Sequence, residues 1–218
     1  MKVLVDMRVD EEGLRKLRAK PGLRVEVIDS PVEDASRPLP AALLADAQVL
    51  FCTFPPSNLA DLRALRLVQI ASVGYTQLVG LGLPERGVRA CNALGVFDVP
   101  IAEWNLAMMI NLRRDLRGMI RNQEHGAWDR DIRFQREIRG LTVGFWGYGG
   151  IARETARLAK SLGMVVHVLV RAGLKSRADI YGVPLTGDPD GTLPDRVFTM
   201  EQKAEFLGGL YFRCSPCR

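Results

Sequence analysis

Long apolar runs and cysteine-rich stretches are missing from this chain, and each absence excludes a class of protein. No run approaches the roughly 18 apolar residues of a membrane helix. The N-terminal residues MKVLVDMRVDEE become acidic too early for a signal peptide, so we expect a cytoplasmic protein that does not bind a membrane. Four unevenly spaced cysteines in 218 residues do not predict a disulfide framework.

The four cysteines are not expected to form a chemical centre. Cys52 and Cys91 lie in the apolar stretches VLFCT and VRACN and are predicted to be buried strand residues. Cys214 and Cys217 form a C-x-x-C pair, but zinc needs two further ligands and a redox pair needs an ordered scaffold. The sequence therefore predicts no metal site.

Positive charge is in slight excess, but it is dispersed. Thirty Lys and Arg residues against 25 Asp and Glu residues give a formal net charge of +5. The basic residues are scattered among acidic ones and form no block, unlike the basic face of a nucleic-acid-binding protein. We expect no nucleic-acid partner.

The most informative segment is Leu141–Arg171, which runs as apolar strand, glycine turn, alanine-rich helix and second apolar strand. Its turn has Gly147, Gly149 and Ala152 in the spacing GxGxxA, which the dinucleotide-binding fingerprint allows. The surrounding strand, helix and strand make this motif far more specific than the glycines alone. The alternative is a glycine-rich turn that binds nothing.

Each position of the turn has an expected role. Gly147 can adopt the backbone angles of a tight turn, and Gly149 has no Cβ to keep a pyrophosphate away from the main chain. Gly150 and Ile151 open the helix, where free N–H groups and the positive end of the helix dipole attract phosphate. We therefore expect Gly147, Gly149, Gly150 and Ile151 to bind the cofactor.

The residue that ends the second strand discriminates between NAD and NADP, because a carboxylate there would hydrogen-bond the ribose 2′-OH. This chain has Val170, so no acid repels a 2′-phosphate. Arg171, Lys175 and Arg177 follow, and such cations could pair with that phosphate. The pattern favours NADP over NAD; the alternative is that these cations are ordinary solvated residues.

The order of elements indicates an α/β protein. Before residue 98, apolar runs such as KVLVDM, RVEVID and QVLFCT alternate with helical patterns, which predicts a parallel sheet covered by helices. Helices are predicted after Asp10, in SNLADLRAL and near Leu83. From Val99 to about Arg121, apolar residues recur at helical spacing and predict one long amphipathic helix.

A polar segment with Trp128 and Phe134 follows that helix. Apolar side chains in such a segment would be covered by a second subunit, which suggests a homodimer. The alternative is that they pack on their own chain.

Three signatures together resemble the D-isomer-specific 2-hydroxyacid dehydrogenases. They are ASVGY at 71–75, NALGVFDVPIAE at 92–103 and the glycine unit, and the resemblance covers about residues 2–210. It implies a flavodoxin-like substrate domain at 1–98. It also implies a linking helix and an incomplete Rossmann-type cofactor domain at 99–218. A methyltransferase would fit the glycine turn alone, but the other two signatures argue against it.

The resemblance also implies a substrate, a small 2-hydroxy or 2-oxo acid. In the family, backbone N–H groups of the loop after the fourth strand bind the substrate carboxylate, and here Val73 and Gly74 occupy that loop. Ser72 could add its hydroxyl. The alternative for Gly74 is a residue that merely ends a strand. Asn92 is expected to shape a turn.

No catalytic residue is predicted in this chain. Hydride transfer needs a proton acceptor, usually His, oriented by a carboxylate, and a cation that holds the substrate. The family's Arg, Glu and His match no residue here. His125 is expected at the surface, and His167 is expected to be a packed strand residue with a hydrogen-bonded nitrogen. The interpretation is therefore an impaired oxidoreductase, and the alternative is a non-catalytic dinucleotide-binding or regulatory protein.

The last residues depart from the family pattern. Thr199 and Gln202 predict a capping box, and the family then has a strand after Gly209, where this chain reads LYFRCSPCR. Codons for CSPCR can be read one base out of frame as VLAMP, so we expect a frameshifted or prematurely ended coding sequence. An unfinished sheet would leave an exposed strand edge.

Overall fold

A computed structural model describes residues 1–29 and 35–215, so Cys217 lies outside the described residues. The chain divides into two compact units, Met1–Leu94 and Gly95–Arg218, called unit 1 and unit 2 below. Both units are α/β, as the alternating apolar and helical patterns predict. The predicted domains 1–98 and 99–218, with their substrate and cofactor roles, stay predictions.

Unit 1 is built on a five-stranded parallel sheet in the order β2-β1-β3-β4-β5. This is the flavodoxin-like order, in which ligands bind beyond the carboxyl ends of the strands. Its core combines apolar side chains of the central strands with leucines of the helix, turns and loops that cover the sheet. The strands are β1 Lys2–Asp6, β2 Arg24–Val27, β3 Ala47–Cys52, β4 Leu67–Ile70 and β5 Arg89–Cys91.

The helices of unit 1 are short. The helix α1 covers Glu11–Arg18 and begins as predicted, because the Asp10 carboxylate accepts a hydrogen bond from the Gly13 N–H at 2.8 Å. The helix α2 covers Ala41–Leu44. The predicted helix in SNLADLRAL is wrong: a single 3₁₀ turn, Leu59–Asp61, replaces it, and turns replace the helix near Leu83.

The two strand cysteines of unit 1 differ. Cys52 is buried as predicted, and burial followed by the charge of Asp6 raises the pKa of its thiol to about 12. The prediction that Cys91 is buried is wrong, because it lies at the end of the edge strand β5, whose residues are exposed. An apolar neighbourhood in sequence did not distinguish an edge strand from a central one.

The predicted long helix is interrupted. The helix α3 covers Asp98–Arg114 and the helix α4 covers Leu116–Glu124. Asp115, between them, has a φ of 48° and its carboxylate accepts a hydrogen bond from the Gly118 N–H at 3.1 Å. An aspartate tolerates this left-handed conformation, and its carboxylate caps the next helix. The apolar spacing continues through both helices, so the spacing alone does not reveal the break.

Unit 2 contains a four-stranded parallel sheet in the order β8-β7-β6-β9. The helix α5, Gly150–Ser161, follows β6, and α3 packs against it with the Asn105 amide donating to the Thr155 hydroxyl at 3.2 Å. The helix α6, Lys203–Gly208, follows the capping box predicted at Thr199 and Gln202. The strands are β6 Thr142–Trp146, β7 Val165–Leu169, β8 Arg196–Phe198 and β9 Phe212–Cys214.

The strand β9 corrects one expectation. The residues after Gly209 were expected to have lost the family's strand, yet Phe212–Cys214 pairs in parallel with Val143–Phe145 of β6. Phe212 and Cys214, which alternate with Arg213, pack against the core of unit 2 and so hold this short strand on the sheet. The strand lies at an edge of the sheet.

Candidate functional site

The glycine turn of unit 2 joins the buried strand β6 to the helix α5. Gly147 has a φ of 89°, a left-handed conformation that favours glycine, and its N–H donates to the Leu169 carbonyl at 2.8 Å. Gly149 precedes the helix with a φ of −83° and provides no side-chain cap. The N–H groups of Gly150 and Ile151 have no acceptor in the part of the chain that the structure describes. The helix therefore presents free donors at its N-terminus.

Gly149 and Gly150 are glycines for different reasons. A Cβ on Gly149 would meet no protein atom within 4 Å, and its backbone angles suit any residue. A Cβ on Gly150 would overlap the carboxylate of Asp98. A side chain at 150 would therefore displace the Asp98 carboxylate, whereas a side chain at 149 would occupy only the space outside the protein.

Asp98 brings a negative charge to this end of α5. Burial raises the pKa of its carboxyl group above the ordinary value; Arg177 opposes the shift and Glu154 adds to it. A phosphate at the Gly150 N–H would lie near this carboxylate. Charge repulsion between the two is strongest when Asp98 is ionised.

A buried network that the sequence did not reveal holds the segment after β7. Arg153, 3% exposed, donates to the backbone carbonyls of Tyr148, Asp188, Pro189 and Lys175, and its guanidinium stacks on the Tyr148 ring with 4.8 Å to the centroid. The loop has no regular secondary structure to pair these carbonyl groups, and the Arg153 side chain supplies their hydrogen bonds instead. Arginine three residues after Gly150 gave no sequence signal beyond an ordinary helix residue.

Asp188 is the anionic centre of that network. Its carboxylate accepts hydrogen bonds from the Tyr148 hydroxyl at 2.7 Å and from the N–H groups of Thr192 and Leu193 at 2.9 and 3.0 Å. Burial alone would raise the pKa of Asp188, but these hydrogen bonds outweigh it and hold the pKa below its ordinary value. Burial together with Asp188 raises the pKa of Tyr148, so the phenol stays protonated.

A groove lies at the carboxyl end of β7, where the sequence predicts the adenosine ribose. Its volume of about 190 Å³ is below the roughly 300 Å³ of a small ligand pocket, so it can hold part of a dinucleotide. Three cationic side chains and no carboxylate line it. The lining residues are Tyr148, Arg153, Val170, Ala172, Gly173, Leu174, Lys175 and Arg177.

Of the four residues predicted to discriminate between NADP and NAD, three line the groove. Val170, Lys175 and Arg177 line it, whereas Arg171 is exposed and does not. Within residues 1–29 and 35–215, neither Lys175 nor Arg177 forms an ion pair. Arg177 lies near enough to the Asp98 carboxylate to oppose the rise in its pKa, whereas no such shift involves Lys175.

In unit 1, the predicted carboxylate loop follows β4. Gly74 has no left-handed φ, and a Cβ on it would meet nothing within 4 Å. The fold therefore does not require glycine at this position. The Ser72 hydroxyl donates to the Gly74 carbonyl at 2.7 Å, so in this conformation its hydrogen is used inside the loop.

Both histidines lie apart from these features. His125 is exposed, and its Nδ1 lies 2.6 Å from the Arg121 carbonyl oxygen. His167 packs in β7 against Phe198, with 5.3 Å between the ring centroids. The predicted hydrogen-bonded nitrogen is wrong for Nδ1, which is buried without a partner among the described residues. Burial, then Arg196, lowers the pKa of His167, with Asp195 opposing, so the neutral ring is favoured.

Comparison with known proteins points to one family of dehydrogenases. Residues 106–192 match the model of the D-isomer specific 2-hydroxyacid dehydrogenase NAD binding domain. The D-3-phosphoglycerate dehydrogenase of Archaeoglobus fulgidus is 30% identical over 188 residues, which cover 85% of this chain and 35% of that protein. The chain is similar to D-isomer-specific 2-hydroxyacid dehydrogenases over most of its length. The (S)-sulfolactate dehydrogenase of Chromohalobacter salexigens is 36% identical over 96 residues, 40% of this chain and 31% of that protein.

Solved structures of 2-hydroxyacid dehydrogenases share the fold. A family member from Aeromonas salmonicida superposes with a TM-score of 0.76 at 20% identity, covering 99% of this chain and 64% of that one. The NAD-dependent formate dehydrogenase of Staphylococcus aureus gives 0.69 at 14% identity, covering 100% and 65%. The chain thus spans about a third of these two curated relatives and about two thirds of these two solved chains.

Membrane spans and metal centres are two other classes of site. None of the helices in the described ranges has the length and apolar character needed to cross a membrane. Among the described residues, no group of His, Cys, Asp and Glu side chains is arranged to hold a metal ion. Each unit thus has one candidate feature of its own: the glycine turn with its groove in unit 2, and the carboxylate loop in unit 1.

Proposed function

We propose that unit 2 binds a nicotinamide dinucleotide with its pyrophosphate on Gly149, Gly150 and Ile151 and with Gly147 shaping the turn. The observation behind this proposal concerns Gly149. A Cβ at this position would meet no protein atom within 4 Å, so contacts inside the fold do not explain why the residue is glycine. Beside it, two free N–H groups and the positive end of α5 would replace the water around a phosphate. Ala152 packs in the core of unit 2, which fits its place in the fingerprint.

We further propose that the cofactor is NADP. The groove next to Val170 contains Lys175 and Arg177 and no carboxylate, which suits a 2′-phosphate and leaves the 2′-OH of NAD without its usual acceptor. Arg171, beside it in sequence, could reach the same phosphate from the surface. The relatives' model names NAD, so NADP is the less expected outcome.

Unit 1 is proposed to bind a small 2-hydroxy or 2-oxo acid. The N–H groups of Val73 and Gly74 would hold its carboxylate, and relatives named for phosphoglycerate and sulfolactate act on acids of this class. A backbone site of this kind recognises the carboxylate that all such acids share. The remainder of the acid is not specified by this loop.

The reaction proposed for the whole protein is hydride transfer between the acid and the nicotinamide. Reduction of a 2-oxo acid consumes one hydride from NADPH and one proton and yields the 2-hydroxy acid and NADP⁺. The nicotinamide ring supplies the hydride when the cofactor is bound. A proton donor must lie within hydrogen-bond distance of the substrate oxygen, and the family's Arg, Glu and His match no residue of this chain.

A second candidate function is therefore binding without turnover, as a regulatory or oligomer partner. The surface position of His125 and the interior position of His167 favour it, because neither ring lies at the glycine turn or the carboxylate loop. Titration of NADPH and NADH by fluorescence measures binding, and NADPH absorbance with glyoxylate, hydroxypyruvate or pyruvate measures turnover. Binding with turnover supports the first candidate, and binding alone supports the second. Tighter binding of NADH than of NADPH would contradict the NADP proposal.

We also propose that the chain forms a homodimer. Trp104 and Leu112 on α3 are 62% and 74% exposed, and Trp128 is 89% exposed. Phe134, in contrast, is buried in its own unit. Sedimentation of the purified chain tests the proposal, and a monomer at micromolar concentration would contradict it.

A further inference from the structure

Three consecutive carbonyl groups of the carboxylate loop are each held by a donor. The Ser72 carbonyl accepts from the Ala93 N–H at 2.9 Å. The Val73 carbonyl accepts from the Asn92 side-chain amide at 2.8 Å. The Gly74 carbonyl accepts from the Ser72 hydroxyl at 2.7 Å. The loop is therefore fixed through its oxygens.

The direction of the oxygens sets the direction of the N–H groups. In a trans peptide unit the N–H points opposite to the carbonyl, and no peptide bond of this chain is cis within the described ranges. Because Ala93 and Asn92 hold the Ser72 and Val73 oxygens from one side, the N–H groups of Val73 and Gly74 face away from residues 92–93. Neither N–H donates to a protein atom of the described chain.

A second chain of hydrogen bonds supports the same loop. The Gln77 amide donates to the Ser72 hydroxyl oxygen at 2.7 Å and to the Thr53 carbonyl at 3.2 Å. The Ser72 hydroxyl hydrogen is thereby left for the Gly74 carbonyl. Linked hydrogen bonds polarise one another, so a donor on a peptide oxygen also strengthens the N–H of the same peptide.

We propose that Asn92 and Gln77 are positioning residues of the carboxylate loop. The hydrogen bond from Asn92 to the Val73 carbonyl fixes the direction of the Gly74 N–H and polarises it. The hydrogen bond from Gln77 keeps the Ser72 hydroxyl oriented, so that the loop retains its conformation. Both side chains act through the loop and not by touching the substrate. The inference depends on the proposed function of unit 1, because it assigns how that loop is prepared for a carboxylate.

The test uses the full chain, labelled with ¹⁵N, and oxalate as the probe. In the wild-type chain, oxalate should shift the amide resonances of Val73 and Gly74 in a saturable way. Asn92→Ala should weaken oxalate binding about tenfold, because the Gly74 N–H that would donate to the carboxylate is then no longer held in one direction. The free Gly74 amide resonance should also move, which reports the lost hydrogen bond to its peptide oxygen. NADPH affinity should not change.

Two more variants separate positioning from general stability. Asn58→Ala removes an amide that holds the Leu39 N–H and carbonyl at 2.9 and 3.0 Å, elsewhere in unit 1. It should lower the melting temperature and leave oxalate affinity unchanged. Gln77→Met keeps the side-chain length and removes the donor, so it should weaken oxalate binding several-fold even if Asn92→Ala does not fold.

The outcomes are distinguishable. If the wild-type chain shows no oxalate shift at Val73 and Gly74, the proposed substrate loop fails and the inference fails with it. If the wild-type chain binds and the Asn92 and Gln77 variants bind within twofold of it, the positioning role alone is overturned. The positioning role is also overturned if Asn58→Ala, at a similar loss of melting temperature, loses as much oxalate affinity as the Asn92 and Gln77 variants do.

Discussion

Replacing Gly149 by alanine should separate the stability of unit 2 from its affinity for a dinucleotide. The φ of −83° accepts alanine, and the new Cβ meets no protein atom within 4 Å. Alanine also restricts the unfolded chain, which adds about 0.4–1 kcal/mol to the free energy of unfolding. The melting temperature of Gly149→Ala should therefore stay the same or rise slightly.

Dinucleotide binding should nevertheless fall sharply in that variant. The Cβ would stand where a pyrophosphate approaches the backbone and would separate it from one or two N–H donors. Each hydrogen bond to a charged group contributes about 1.5–3 kcal/mol, so the dissociation constant should rise about 10- to 100-fold. Fluorescence titration with NADPH and calorimetric melting measure the two quantities on the same sample.

Two alanine variants provide the controls. Gly147→Ala places a Cβ at a φ of 89°, which costs about 1–2 kcal/mol, so this variant should lose stability as well as binding. Gly208→Ala, in α6, is as unobstructed as Gly149 and has an ordinary φ, so it should keep both. The role assigned to Gly149 is refuted if Gly149→Ala binds NADPH within twofold of the wild-type chain, or if it melts as early as Gly147→Ala.

Two further predictions concern carboxylates of unit 2. Asp98→Asn removes a negative charge beside the N-terminus of α5 and should tighten NADPH binding several-fold. Because burial raises the pKa of Asp98, wild-type affinity should weaken as pH rises through that pKa, and the variant should lose this dependence; titrations over a pH series that starts at about pH 4, the ordinary pKa of an aspartate, check both. Asp188→Asn should lower the free energy of unfolding by roughly 2–3 kcal/mol at about pH 7. Since the pKa of Asp188 is depressed in the fold, its contribution is complete above the ordinary aspartate pKa of about 3.9 and is lost as the pH falls through the lower pKa of the folded state. The difference in melting temperature between variant and wild type should therefore shrink as the pH is lowered below about 4.

The sequence predicts those parts of this protein that depend on periodicity and on backbone chemistry. Apolar runs predict the strands of unit 1 and the strands β6 and β7 of unit 2, and the glycine spacing predicts the turn before α5, including the left-handed Gly147. The caps at Asp10 and at Thr199 are equally local, since each depends on side chains within three residues. The α/β fold follows from these patterns together, and the resemblance to a dehydrogenase family depends on the three signatures at 71–75, 92–103 and 141–171.

What the sequence does not predict depends on contacts between distant residues. The network of Arg153, Tyr148 and Asp188 joins positions 35 and 40 apart in sequence, so no spacing rule reveals it. The exposure of Cys91 follows from which strand lies at the edge, and the break at Asp115 depends on one residue in a left-handed conformation. NADP, the homodimer, the cytoplasmic location and the absence of turnover stay predictions.

The most direct test of the dinucleotide site is a titration of the ¹⁵N-labelled chain with NADPH, followed by its amide resonances. We expect saturable shifts that are largest for the N–H groups of Gly149, Gly150 and Ile151, with further shifts around Val170 and Lys175. Absence of saturable binding at millimolar NADPH, or shifts that leave the glycine turn unchanged, would contradict a dinucleotide site at the start of α5.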